Sequence, residues 1–132
     1  MRFARTGAAV AVGFVVWAFV AGTLLWIMQA AWEDYAAAVP SKDYTLLMLV
    51  SRLSVGAIAT AAAGLVTMIG ARDRGLAAWL CGGLLLAISL RPHLVTAWND
   101  YPVWYHFVYL GYLVPICGLA GSLLRRARAP GA

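Results

Sequence analysis

Four long runs of apolar residues occupy most of this chain, and short polar segments join them. Residues 7–31 carry no charge, and at about 1.5 Å per residue such a helix crosses a hydrocarbon core about 30 Å thick. Only 11% of the residues are charged, whereas soluble domains carry about 25%. We therefore predict an all-α integral membrane protein, a single domain over 1–132 whose spans cover about 7–31, 44–71, 75–90 and 102–124.

The connections between the spans predict their arrangement. Short loops favour antiparallel neighbours, so four transmembrane helices in an up-down antiparallel bundle are expected. The basic residues that share one side are Arg2, Arg5, Arg72, Arg74, Arg125, Arg126 and Arg128. The other side holds Lys42, Arg52 and Arg91. The positive-inside rule then places both termini in the cytoplasm (N-in/C-in) of a bacterial inner membrane, the plasma membrane of the cell.

The same placement explains the net charge of +5 through topology, and no nucleic-acid partner is expected. Arg2 and Arg5 before an apolar run are also typical of a secretory signal, but the run exceeds the about 7 to 15 residues of such a segment, which favours a retained helix.

At the second span, Ser41 is the predicted N-cap and Asp43 lies where the helix dipole favours a negative charge.

Polar and aromatic residues collect on the predicted outer face, and this face is the candidate binding pocket. Tyr101, Tyr105, Tyr109 and Tyr112 are spaced by four, four and three residues, which puts them on one helical face. The candidate pocket residues are Glu33, Asp34, Arg52, Arg91, His93, Asp100, Tyr105, His106, Tyr109 and Tyr112. A plainer interpretation also fits: Trp and Tyr favour membrane interfaces, and the two arginines could pair with nearby carboxylates or contact lipid headgroups.

The spacing of the histidines and cysteines does not indicate a metal site or a cofactor. His93 and His106 belong to no His-x-x-x-His or Glu-x-x-His pair, so no metal, haem or other cofactor is expected. Cys81 and Cys117 lie at similar predicted depths, where antiparallel neighbours could bring them together. Free thiols there behave as small apolar residues, and no Cys-x-x-Cys motif indicates thiol exchange.

Small residues at helical spacing predict where the helices approach closely. They are Gly56, Thr60 and Gly64 in the second span and Gly111, Gly118 and Ser122 in the fourth. Such faces let backbones pack together in lipid, where no hydrophobic force drives association. They are expected to form seams within the chain or a contact between two copies.

Three functions remain open on the sequence alone. The preferred hypothesis is a non-enzymatic accessory, scaffold or small-ligand-binding protein that uses its outer loops. Its expected partners are membrane lipids and either further copies of itself or another membrane protein. A second is a small homodimeric transporter or channel. Length and span number are similar to those of the small multidrug resistance transporters and the small fluoride channels. However, the first span lacks the membrane-embedded glutamate of the multidrug transporters. The polar pore pattern of the fluoride channels is not visible either. The third is an enzyme acting on lipid or quinone, with His93 or His106 as base and Asp100 orienting it.

Overall fold

The computed structural model describes residues 2–71 and 75–127, and within them the chain is helical with no strand. The helices are α1 (Arg2–Ala31), α2 (Glu33–Ser41), α3 (Leu46–Ala71), α4 (Leu76–Arg91) and α5 (Val103–Ala127), with one π-helical turn at Pro92–Thr96. Four of these segments are long and apolar enough to cross a membrane: Phe3–Ala31, Leu46–Ala71, Leu76–Thr96 and Val103–Ala127. Arg72, Arg74 and Arg128, which enter the predicted charge asymmetry, lie outside the described residues.

The segment between the first two spans contains a helix that the sequence analysis did not predict. Trp32 leaves the helical conformation, with φ −129° and ψ 98°, and α2 begins at the next residue. Lys42 ends α2 in the left-handed conformation, and its N–H donates to the carbonyl of Ala38. The chain therefore turns twice between α1 and α3 and returns toward the bundle.

The start of α3 corrects the predicted cap. Ser41 closes α2, where its hydroxyl donates to the carbonyl oxygen of Ala38 over 3.4 Å. Thr45 caps α3 instead, because its hydroxyl oxygen accepts the N–H of Met48 at 3.3 Å. Both residue types are good N-caps, but Pro40 and Ser41 belong to the end of α2 in the folded chain.

Helix α3 packs against each of the other three long helices, and α5 packs on α3 and α4. The guanidinium Nε of Arg5 donates to the carbonyl of Gly70 over 2.9 Å, so the start of α1 lies beside the end of α3. Much of α1 remains uncovered, with Phe19 71% and Trp26 69% exposed. Such an apolar surface is what a helix presents to lipid.

Small residues form the seams between α3, α4 and α5. A Cβ added at Gly64 would collide with the backbone carbonyl of Cys117, and one added at Gly82 would lie 2.9 Å from the Cα of Val114. Within the seam, the thiols of buried Cys81 and Cys117 interact. Gly111, by contrast, is exposed with open space around it, so it takes no part in a seam within the chain.

Other predicted packing residues do lie in contacts. The ring of Trp79 covers Gly118, and the hydroxyl of Tyr112 lies against Gly56. The hydroxyl of Thr60 is buried and donates to the carbonyl of Gly56 over 2.7 Å. Thr60 thus satisfies its polar group within its own helix, which leaves its methyl group for packing.

Candidate functional site

Arg52 is the centre of the site. It lies on the second turn of α3 and is half-buried. Its Nη1 donates to the hydroxyl of Tyr35, and its Nη2 donates to the hydroxyl of Tyr101 over 3.0 Å. The guanidinium carbon is 5.2 Å from the ring centroid of Tyr44, within the about 6 Å range of a cation–π contact.

A row of stacked rings positions these partners, and we call it the aromatic ladder. It consists of Tyr35, Tyr44, Tyr101, Tyr105 and Tyr109, whose successive centroids are 5.8, 5.7, 4.7 and 6.5 Å apart. The fold explains its first rung: because the chain turns back at Trp32, α2 carries Tyr35 into the bundle, where it is only 1% exposed. Tyrosines of three separate segments thus meet at one cation.

Arg52 lacks a negatively charged partner among residues 2–71 and 75–127. The charged and polar groups that act on it are phenols, and the predicted alternative pairing with Glu33, Asp34 or Asp100 does not form. Glu33 and Asp34 are exposed on the first turn of α2. The Nε atom of Arg52 is buried without any hydrogen-bond partner in the described structure. Even a half-buried cation is costly unless something else compensates its charge.

The tyrosines themselves do not supply that compensation. Burial raises the pKa of Tyr35 above its ordinary value, although the Arg52 cation opposes the shift. Burial likewise raises the pKa of Tyr101, again against the effect of Arg52. Both side chains therefore remain neutral phenols at physiological pH, and the positive charge of Arg52 stays uncompensated.

A pair of histidines lies against the end of the aromatic ladder formed by Tyr105 and Tyr109. The Nδ1 atoms of His93 and His106 are 3.1 Å apart, and Nε2 of His106 is 3.2 Å from the carbonyl oxygen of Trp98. The π-helical turn that carries His93 closes with a 2.8 Å bond from the N–H of Ala97 to the carbonyl of Pro92. This wide turn brings His93 onto the ring of Tyr109, with centroids 4.3 Å apart.

The hydrogen-bond partners determine the tautomer of each histidine. A carbonyl oxygen can only accept, so Nε2 of His106 carries a proton and its Nδ1, in the neutral ring, accepts. His93 must then donate from Nδ1, which leaves its Nε2 with a free lone pair. Among the described residues, the hydrogen bonds of this pair use Nδ1 of His93 and both ring nitrogens of His106, and none uses Nε2 of His93.

A cavity of about 250 Å³ lies where Arg52 and His93 meet α1. Trp17, Ala21 and Leu25 of α1 form its apolar wall. The opposite wall consists of Arg52, Val55, Gly56, Pro92, His93, Ala97, Tyr101, Tyr105 and Tyr109. The indole Nε1 of Trp17, like Nε of Arg52, is buried without a partner among the described residues. Two unpaired donors therefore belong to side chains of the same cavity, which we call the Arg52 cavity.

The Arg52 cavity includes four of the predicted pocket residues, Arg52, His93, Tyr105 and Tyr109. The other six do not line it. They are Glu33, Asp34, Arg91, Asp100, His106 and Tyr112. Arg91 is exposed, His106 is fully buried behind His93, and the hydroxyl of Tyr112 donates to the carbonyl of Leu53 over 3.0 Å.

Sequence reasoning missed the contribution of α1 and of Tyr35. One signal could have identified Trp17, because an indole N–H within a long uncharged span needs a hydrogen-bond partner. We also expected Asp100 to orient His93 or His106; the ring-nitrogen hydrogen bonds seen among the described residues join the two histidines to each other and His106 to the carbonyl of Trp98. No group of three His, Cys, Asp or Glu side chains that could hold a metal occurs in the described ranges 2–71 and 75–127.

The cavity brings together a cation, an imidazole and several ring faces. Such a set can hold a small molecule that brings oxygen acceptors and an apolar body. This geometry suits binding, and the residues that line the cavity include no activated nucleophile. The chain matches no family model, no curated protein and no solved structure.

Proposed function

We propose that this protein is a four-pass membrane protein that binds a small ligand in the Arg52 cavity, as a binding or accessory protein without catalytic activity of its own. The observation that carries the proposal is a half-buried cation, Arg52, whose described neighbours include no carboxylate and whose buried Nε has no acceptor. Ionisable groups buried in membrane proteins are costly and are functional by default. An anionic ligand in the cavity would compensate the charge of Arg52.

The proposed topology is an up-down bundle with both termini in the cytoplasm of the bacterial inner membrane. Support comes from the arginine asymmetry of the sequence and from the start of α1 lying beside the end of α3. In this orientation the Arg52 cavity opens in the half of the bundle that faces away from the cytoplasm. Arg52 is six residues from the start of α3, so it lies about 9 Å along the helix.

A reporter enzyme that is active only outside the cytoplasm tests this topology. Fused after Ala132, it is expected to be inactive, whereas a fusion in the connection between α2 and α3, after Lys42, is expected to be active. Activity of the fusion after Ala132 alone would reverse the orientation and place the cavity on the cytoplasmic side.

Ligand binding is tested by analysing what copurifies with the protein. The protein is purified in mild detergent, and small molecules released by denaturation are quantified by mass spectrometry relative to protein. Ala21 lines the cavity, whereas Ala18 is exposed on the same helix, so Ala21→Phe and Ala18→Phe are a matched pair. We expect Ala21→Phe to lose a bound molecule that the wild type and Ala18→Phe retain. Identical contents in all three proteins, each folded, would contradict the proposal.

A further inference from the structure

We infer that the ligand of the Arg52 cavity is a small ring-bearing monocarboxylate that binds together with one proton, with Arg52 holding the carboxylate and Nε2 of His93 holding the proton. This inference rests on the proposed ligand-binding function and names the chemical class of the ligand. Three independent features of the cavity lead to it, namely its charge, its size and the tautomers of the histidine pair.

The single positive charge in the cavity favours a ligand that carries one negative charge. Arg52 is the one Lys or Arg side chain among the residues that line it, and its described neighbours leave that charge uncompensated. A guanidinium offers five N–H donors in a planar fork that matches the two oxygens of a carboxylate. A phosphomonoester carries about 1.5 to 2 negative charges at neutral pH, which exceeds what one fixed cation offsets.

The size and lining of the cavity select a molecule with one ring. Its volume is about 250 Å³, and an apolar cavity of about 150 Å³ already admits benzene. A single ring with a carboxyl group therefore fits, whereas an entire phospholipid does not. The apolar side chains of Trp17, Leu25 and Val55 and the rings of Tyr105 and Tyr109 line it, so the body of such a ligand meets carbon surfaces.

The histidine pair requires a proton at the ligand. Because Nδ1 of His93 donates to His106, its Nε2 presents a lone pair, which would repel a carboxylate oxygen. One proton on Nε2 turns this repulsion into a charge-assisted hydrogen bond. On binding, one carboxylate and one proton enter the cavity, and on release both leave, so no covalent bond changes.

Other groups that face His93 do not replace this proton. They are His106, Tyr105 and Tyr109 on α5 and Arg52 on α3. The lining part of α1 offers Trp17, Ala21 and Leu25, which do not titrate. His106 is already bonded through both ring nitrogens, so the proton taken up with the ligand resides on His93.

Binding of benzoate to the purified protein in detergent, measured by calorimetry from pH 6 to pH 9, tests the inference. Carboxylic acids have pKa values near 4, so benzoate stays ionised throughout. We expect the Kd for benzoate to rise about tenfold per pH unit because each bound molecule takes up one proton. Benzamide, which has nearly the same shape without the charge, is expected to bind at least about tenfold more weakly at pH 6 because it forms no charge-assisted bond.

Two variants separate the roles of the two side chains. His93→Gln is expected to make benzoate binding independent of pH, an outcome that a purely structural role would not produce. Arg52→Gln is expected to weaken benzoate binding roughly tenfold to a hundredfold at every pH while keeping the slope. A slope that persists in His93→Gln would mean that the neutral acid binds and would overturn the role of His93.

The outcomes also distinguish this inference from the proposed function. If benzamide binds as tightly as benzoate and Ala21→Phe abolishes both, the cavity binds ligands but the carboxylate class is wrong. If the straight-chain acid octanoate binds more tightly than benzoate, the ring is wrong. If neither benzoate nor benzamide binds and Ala21→Phe purifies with the same contents as the wild type, both proposals fail.

Discussion

The two halves of this bundle are packed by opposite means. In the half that holds Gly64, Gly82 and Gly121, which we call the glycine half, small residues bring backbones into contact and Cys81 and Cys117 are fully buried. In the half that holds the Arg52 cavity, which we call the cavity half, large rings surround a cation and line a cavity of about 250 Å³. Helices of similar composition are thus closely packed at one end of the bundle and separated by a cavity at the other.

This contrast indicates how stability and function are divided. Lipid provides no hydrophobic force between helices, so close packing of small residues must hold the bundle together. The cavity half contributes less to this packing and contains an unpaired charge, the kind of local cost that functional sites carry. We therefore expect substitutions in the glycine half to change the free energy of unfolding. Substitutions in the cavity half are expected to change ligand binding.

The largest expected effect on stability is that of Gly64→Ala. A Cβ at this position would collide with the backbone of Cys117, which cannot move aside as a side chain can. We expect the free energy of unfolding, measured by SDS titration in mixed micelles, to fall by about 2 to 3 kcal/mol. Gly111→Ala, in open space on α5, is the control, and it should be neutral or gain up to about 1 kcal/mol. Equal changes in the free energy of unfolding for Gly64→Ala and Gly111→Ala would contradict a stabilising role for the close contact at Gly64.

A neighbouring pair on α4 gives a smaller effect with a closer control. The Cβ of Gly82→Ala would lie 2.9 Å from the Cα of Val114, whereas Gly83 has nothing within 4 Å. We expect Gly82→Ala to lower the free energy of unfolding by about 1 to 2 kcal/mol in the same titration. Gly83→Ala should not lower it, and a loss there as large as that of its neighbour would remove the evidence for a specific seam.

In the cavity half, Arg52→Met is expected to affect ligand binding more than stability. Removing the cation relieves its desolvation but also removes the bonds to Tyr35 and Tyr101. These terms oppose each other, so we expect the free energy of unfolding to change by less than about 1 kcal/mol. The molecule that copurifies should be lost, whereas Arg91→Met, at an exposed position, should retain it. A loss of stability above about 3 kcal/mol would make Arg52 a structural residue.

A modest dependence of stability on alkaline pH is also expected. Because burial raises the pKa of Tyr35 and Tyr101, folding favours their neutral forms. The resulting stability is fully present below the unfolded pKa of about 10 and is lost as the pH rises above it. We expect the free energy of unfolding to fall by about 1 kcal/mol between pH 9 and pH 11. Tyr101→Phe should reduce that fall, and an unchanged fall would mean that other groups cause it.

The spans were predictable because hydropathy acts over many residues at once. The helix bounds differ from the predicted ones by a few residues, mainly because α1 and α5 extend past the apolar runs and the π-helical turn prolongs the third span. Small-residue spacing located the seam at Gly64 and Gly118 but also included Gly111, which is exposed. Spacing alone identifies a face of a helix and not the neighbour that covers it.

The site was only partly predictable, since its residues meet through turns that leave little trace in the sequence. Tyr35 reaches Arg52 because Trp32 interrupts the helix. His93 meets His106, thirteen positions away, because of a π-helical turn. Trp17 lies far from both in sequence and joins them only through the packing of α1. The carboxylates seemed suitable partners by charge, but Glu33 and Asp34 occupy the exposed side of α2.

An experimental density map of the wild-type protein, purified in mild detergent without added ligand, tests the central claim most directly. We predict non-protein density in the Arg52 cavity, beside the guanidinium of Arg52 and the imidazole of His93. A cavity filled by protein side chains, or a carboxylate of the chain paired with Arg52, would contradict the account.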